Sequence, residues 1–168
     1  GSRNQSKLLE WKDKGGLNAF TGSFLETADF SELIILAVKG ESAEDVLKGI
    51  GSDNLKGKTI IDSCNPIDHT RPPDNGVLHF FTSLDDSLME RLQRLVPEAS
   101  FVKAFNCIGN RYMIDPQFPG GKPTMFICGN DKKAKAEVTS ILEQFGWDTE
   151  DMGMAEAARV IEPLCILW

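Results

Sequence analysis

The sequence predicts a single open α/β domain built on a doubly wound, mainly parallel sheet. Three observations lead there. The strand candidates are short, continuous apolar runs rather than alternating ones, as suits strands covered on both faces. These runs alternate along the chain with amphipathic helical patterns. The chain has 168 residues, 41% of them hydrophobic, the size and core content of one ordinary domain.

Taken in order, residues 5–14 read as a helix stopped at Gly15-Gly16. "SFLE" (23–26) has the Ser-x-x-Glu spacing of a capping box and opens a short helix. "LIILAV" (33–38) is the clearest strand. After Gly40, Ser42 stands in cap relation to Asp45, followed by Val46, Leu47 and Ile50 on one helical face. "KTIIDSC" (58–64) is the next strand. Residues 84–95 set Leu84, Leu88, Leu92 and Leu95 on one face, with Ser83 as N-cap and Asp86 three positions on. "SFVKAFN" (100–106), "PTMFICG" (123–129) and "GWDTEDMG" (146–153) complete the strands. A helix over 132–145 buries Ala134, Val138, Ile141, Leu142 and Phe145 between the last two. Residues 154–168 are helical in composition, and Pro163 is expected to bend them. The irregular stretch 65–83 carries an Asp-Asn-Gly turn signal. It follows a strand's carboxyl end, where α/β proteins put ligand contacts.

Net charge is −7, from 25 acidic and 18 basic residues. That balance argues against a nucleic-acid surface, and an anionic ligand would need a local basic pocket. None of the four cysteines (Cys64, Cys107, Cys128, Cys165) forms a C-x-x-C pair. They read as small buried residues of a reducing compartment. The two histidines, His69 and His79, share one loop region and are too few for a three-histidine metal site, so no metal is expected. No apolar run approaches the ~20 residues of a membrane span, and no signal segment is seen, so a soluble, cytoplasmic protein is expected.

Three successive strands end in small or amide residues: Ala37-Val38, Asn65-Pro66, and Ala104 with Asn106. Such groups suit a planar ring and a ribose or carboxamide, and they fall at the sheet edge where ligands bind in this fold class. Asp85-Asp86 and Glu150-Asp151 read as helix-start charge and a solvated turn. Asp62 reads as a carboxylate capping backbone amides, and the histidines as surface residues able to donate protons. There is no G-x-S-x-G, no Walker A and no H-E-x-x-H, so no catalytic residue is assigned.

At "VKAFN", "PGGKPTMFICGND" and "FGWDTEDMG", with "IDSCNP" and "LAVKG" in the same order, the chain resembles the NADP-dependent oxidoreductases grouped with the coenzyme F420:NADP reductases. Pyrroline-5-carboxylate reductases and the reductase domains of membrane ferric reductases are more distant relatives. The resemblance covers essentially the whole chain and implies a Rossmann-type domain. The first strand and G-x-G-x-x-G loop of that fold are not found here, so an incomplete domain, lacking about 30 residues at its start and cut at "PLCILW", is expected over 1–168. By the resemblance, Ser2, Arg3 and Lys7 of "GSRNQSK" bind the 2′-phosphate that distinguishes NADP from NAD, as suits basic side chains. Ala37 and Val38 then contact the middle of the cofactor, and Asn65, Pro66, Ile67, Ala104 and Asn106 its nicotinamide end. The implied activity is hydride transfer between NADP(H) and a small-molecule electron acceptor, coenzyme F420 or another flavin-like ring. The loop residues Val77, Leu78, Phe80 and Phe81 are candidates for the acceptor wall. The alternatives are a non-enzymatic NADPH-binding module and an imine or carbonyl reductase of the pyrroline-5-carboxylate reductase type. No nucleic-acid or membrane partner is expected, and a homo-oligomer is admitted.

Overall fold

Strand pairing in the computed structural model, which describes residues 1–15 and 18–167, gives one five-stranded sheet in chain order, β1-β2-β3-β4-β5. Gly16, half of the expected Gly15-Gly16 stop, and Trp168 lie outside the described residues. Strands β1 (Leu33–Leu36), β2 (Thr59–Asp62) and β3 (Ser100–Lys103) run parallel. β4 (Thr124–Gly129) is antiparallel to β3, and β5 (Asp148–Asp151) parallel to β4. The mixed α/β sheet is the Rossmann-type architecture.

Side-chain alternation splits the interior into two cores. Leu36, Ile60, Phe101 and Cys128 face helices α3 (Gly40–Ile50), α4 (Leu88–Leu95) and α6 (Ala158–Ile161). Ile61, Val102, Met125 and Ile127 face the other way, against α5 (Lys132–Gln144). β2 and β3 are therefore covered on both sides, as their continuous apolar runs required, whereas β1 leaves Ile35 exposed on its second face.

Two short helices precede the sheet, α1 (Gln5–Gly15) and α2 (Phe24–Phe30). The capping box expected at "SFLE" forms: Ser23 Oγ accepts from Glu26 N–H (3.2 Å), and the Glu26 carboxylate accepts from Ser23 N–H (2.7 Å).

Several boundaries differ from the sequence expectation, each for a local reason. The helix expected over 84–95 begins at Leu88, with Ser87 rather than Ser83 as its cap. Ser83 Oγ only closes a turn onto Asp85 N–H, Leu84 is exposed, and Asp86 is drawn to Arg91 and Arg94. α3 begins at Gly40 without a side-chain cap, so the Ser42–Asp45 relation is unused. A Cβ on Gly40 would overlap the Asn65 carbonyl oxygen, which is why the helix starts where a glycine permits that approach. β5 is shorter than 146–153 because Gly146 (φ 87°) and Gly153 (φ 113°) bracket it. The final segment is not one helix. A 3-10 turn at Ala155–Ala157, α6, and a second 3-10 stretch Glu162–Leu167 follow one another, the change falling beside Pro163.

Candidate functional site

The three parallel strands deliver their carboxyl ends to one edge of the sheet. Ser63 N–H donates to Leu36 O (3.2 Å) and Ala104 N–H to Asp62 O (3.2 Å), carrying the registry past the strands themselves. Beyond them, Asn65 and Asn106 staple β2 to β3. Asn65 Nδ2 donates to the Asn106 carbonyl (2.7 Å), and Asn106 Nδ2 donates to Asn65 Oδ1 (3.0 Å) and to the Ile161 carbonyl (3.1 Å). Asn106 Oδ1 is buried and accepts no hydrogen bond. Phe105, between Ala104 and Asn106, has φ 63°. A bulky residue in the left-handed region is strained, and such strain concentrates at functional sites. The turn it makes aims Asn106 across to Asn65.

Beneath the staple lies a fully buried charge cluster that sequence reasoning did not find. Lys103 Nζ sits 2.6 Å from Asp62 Oδ2 and 2.9 Å from Glu162 Oε1, and donates to the Cys64 carbonyl (2.9 Å). Asp62 Oδ2 receives no well-aligned hydrogen bond, so its contact with Lys103 is ionic rather than directed. Its other oxygen caps Cys64 N–H (2.9 Å), the role expected for it. Glu162 also accepts from the Leu88 and Met89 N–H groups (3.0 Å each) at the start of α4, where the helix dipole favours an anion. Burial alone would lower the Lys103 pKa, but Asp62 and then Glu162 outweigh it and hold the ammonium above its usual range. Burial, with Asp62 next, pushes the Cys64 thiol up, and Cys128 is pushed up to about 12 by burial. These cysteines are packing residues, not nucleophiles. The signal available in the sequence was a lysine inside the apolar strand "SFVKAF".

A cavity of about 280 Å³ opens beside the strand ends, between the 66–86 loop and the final segment. Pro66, Leu78, Phe80, Leu84 and Pro163 supply its apolar surface, and His79, Asp86, Arg159 and Glu162 are among its polar lining residues. The loop is held as a hairpin-like excursion. Ile67 bridges to Phe80, and Asp74 to Val77 across Asn75 (φ 50°) and Gly76 (φ 89°), the turn its Asp-Asn-Gly signal predicted. Of the expected acceptor wall, Leu78 and Phe80 line the cavity. Val77 is exposed in the turn, and Phe81 packs on the first core under the Arg91 guanidinium.

The other expected site residues are distributed as follows. Ala37 is exposed and Val38 half-buried just before Gly40. Pro66 is buried, with Ile67 half-buried beside it. The Ala104 methyl is fully buried in the α5-side core, so its side chain faces away from the cavity. Ser2 Oγ accepts from Asn4 N–H (3.1 Å) and Asn4 Oδ1 from Lys7 N–H (3.1 Å), a local arrangement that opens α1. Arg3 makes no ion pair among the described residues. It lines a second cavity, of about 350 Å³, with Ser23 and Phe24 and with Ser42 and Asp45 of α3. Helix α3 thus touches both regions: its glycine start lies against Asn65, and its next turn faces Arg3.

Comparison with known proteins agrees with this geometry. The family model described as "NADP oxidoreductase coenzyme F420-dependent" matches residues 1–66. A putative F420-dependent NADP reductase from Arthrobacter sp. FB24 superposes with a TM-score of 0.82 at 36% identity, covering 88% of this chain and 66% of that one. A hypothetical protein from Sinorhizobium meliloti gives 0.72 at 26% identity, covering 94% and 73%. The metalloreductase STEAP3 of Rattus norvegicus is 28% identical over 139 residues, 83% of this chain. The chain spans about a quarter (26%) of that relative's length.

Proposed function

Because the chain belongs to the NADP oxidoreductase family of Rossmann fold, we propose that it binds NADP(H) along α3 and the strand ends and reduces a small planar acceptor in the cavity beside them. The observation that carries this reading is the junction of the stapled strand ends with a mainly apolar cavity of about 280 Å³. That is room for a ring system, not for a second dinucleotide.

The residues fit the cofactor at three points. Gly40 leaves a close approach beside Asn65 that a Cβ would fill. The buried, unpartnered Asn106 Oδ1 is complementary to an amide donor such as a ring carboxamide. Arg3, without an ion-pair partner among the described residues, offers a planar cation for a phosphate, with Ser2 and Lys7 beside it in sequence. When bound, NADPH supplies a hydride equivalent. The protein's part is to hold two rings at near-attack distance and exclude water. The Asn65–Asn106 staple fixes the strand ends from which Pro66 follows, and Pro66, Leu78 and Phe80 supply the apolar wall of the cavity. Coenzyme F420 or another flavin-like ring suits that apolar surface, as the family description suggests.

The test of the cofactor reading is Arg3→Glu. NADPH affinity, read by quenching of protein fluorescence, is expected to fall at least 10-fold more than NADH affinity, since only NADPH carries the 2′-phosphate. Equal losses for both would refute the phosphate assignment. Loss of nicotinamide absorbance with coenzyme F420, FMN and 1-pyrroline-2-carboxylate tests the redox reading. Tight NADPH binding with no turnover on any of the three would overturn it.

A further inference from the structure

The titratable and basic side chains lining the 280 Å³ cavity are not equally available for chemistry. Arg159 is bound to Glu90 through two contacts, Nε to Oε2 at 2.9 Å and Nη2 to Oε1 at 2.6 Å. Glu162 is occupied by two backbone N–H groups and Lys103. Asp86 is held by Arg91 and Arg94. His79 differs. One ring nitrogen, Nε2, lies 3.2 Å from Asp74 Oδ2, and Nδ1 has no protein partner among the described residues. Its side chain is 17% exposed while that of Asp74 is 76% exposed. His79 thus lines the cavity while mostly buried, and its partner Asp74 is open to solvent.

From this arrangement we infer that His79 is the proton donor to the acceptor reduced in this cavity, oriented and recharged through Asp74. The inference rests on the hydride-transfer reading above. Two-electron reduction of a flavin-like ring or an imine adds one hydride and one proton. The hydride comes from NADPH, which leaves as NADP⁺. The proton leaves His79 for a ring nitrogen of the acceptor, making neutral imidazole, and a proton from solvent then restores the cation beside Asp74. Among the lining groups named above, His79 alone combines a titratable proton with an unoccupied ring nitrogen. A carboxylate that orients the imidazole and stabilises its cation is the usual partner in such a pair. The charged groups around His79 are Asp74 in the turn, Asp68 (itself beside Arg71) on the opposing arm of the loop, and Asp86, Arg159 and Glu162 of the same cavity.

The test uses the protein with NADPH and coenzyme F420, with FMN as a second probe. His79→Gln is expected to lower kcat by about 100-fold, the lower end for loss of a general acid. The NADPH dissociation constant should change less than 3-fold, and the alkaline fall of the native pH–rate profile should vanish. Asp74→Asn should lower kcat by about 10-fold and keep that alkaline fall. A His79→Gln protein that keeps native kcat and pH profile refutes the assignment while leaving the redox reading intact. A second readout does not need turnover. In ¹⁵N-histidine spectra of the NADP⁺-loaded protein, the His79 ring resonances should move when coenzyme F420 is added, while those of His69 stay still. Unmoved His79 resonances overturn the assignment. Silence of the native protein with every acceptor removes the redox reading and this role together.

Discussion

Gly40 shows how one missing methyl group lets α3 close on the strand end where the cofactor is proposed to bind. The start of α3 presses against the Asn65 carbonyl, and any Cβ there would overlap it. Gly40→Ala must push α3 off the strand end or displace Asn65, and with it the bonds to Asn106. An NADPH dissociation constant raised at least 10-fold is expected, since displacements of about 1 Å at a positioned site are costly. Titration by fluorescence checks this, and unchanged affinity would mean that the approach of α3 to Asn65 does not shape the site. Phe105 works in the opposite sense, carrying strain of ~1–3 kcal/mol in its backbone to turn Asn106 into place. Its ring packs against Phe145 (6.0 Å between centroids), which helps hold the conformation.

At the scale of elements, the final segment is fastened to α4 at two points, Glu162 on the N–H groups that open the helix and Arg159 on Glu90. Bonding to Arg159 holds the Glu90 carboxyl below its ordinary value near 4.5. A carboxyl depressed by folding contributes stability above that value and loses it as pH falls toward the folded-state pKa. Urea midpoints measured from pH 6 down to pH 3 are therefore expected to drop less steeply in Glu90→Gln than in the native chain. Parallel curves would show that this pair does not couple to acid stability. These fastenings also mark the limit of what the sequence displayed. The strands, the α2 capping box and the Asp-Asn-Gly turn were legible because each depends on neighbours within a few residues. The true start of α4 was not, because Glu162, 74 residues away from Leu88, satisfies its free N–H groups. The strand-end residues do gather at one sheet edge, but Lys103 was passed over because its partners Asp62 and Glu162 meet it only in three dimensions. The Ala104 methyl lies in the α5-side core by plain alternation with Val102, two residues before it, whereas the left-handed backbone of Phe105 that follows is announced by no local pattern.

Over the whole molecule, two cores share one sheet, and the edge proposed to bind ligand is where they meet the final segment. The first core packs α3, α4 and α6, and the second packs α5. Residues from both reach the Asn65–Asn106 staple, Ile161 from one side and Ala104 and Phe105 from the other. The formal charge of −7 repels an anionic cofactor at long range. Affinity for one must come from local cations and main-chain donors, which is why Arg3 bears so directly on the proposed selectivity.

Lys103 has a consequence of another kind, as a built-in clock. Its amine is fully buried and charged, whereas Lys39 and Lys56 have side chains 65% and 64% exposed. An amine-reactive ester should acylate the outer lysines within minutes and reach Lys103 only when the sheet itself opens. Peptide mass spectrometry over a labelling time course is expected to show Lys103 modified at the rate of global unfolding, accelerating in step with added urea. Labelling as fast as at Lys39 would mean that the interior breathes without unfolding.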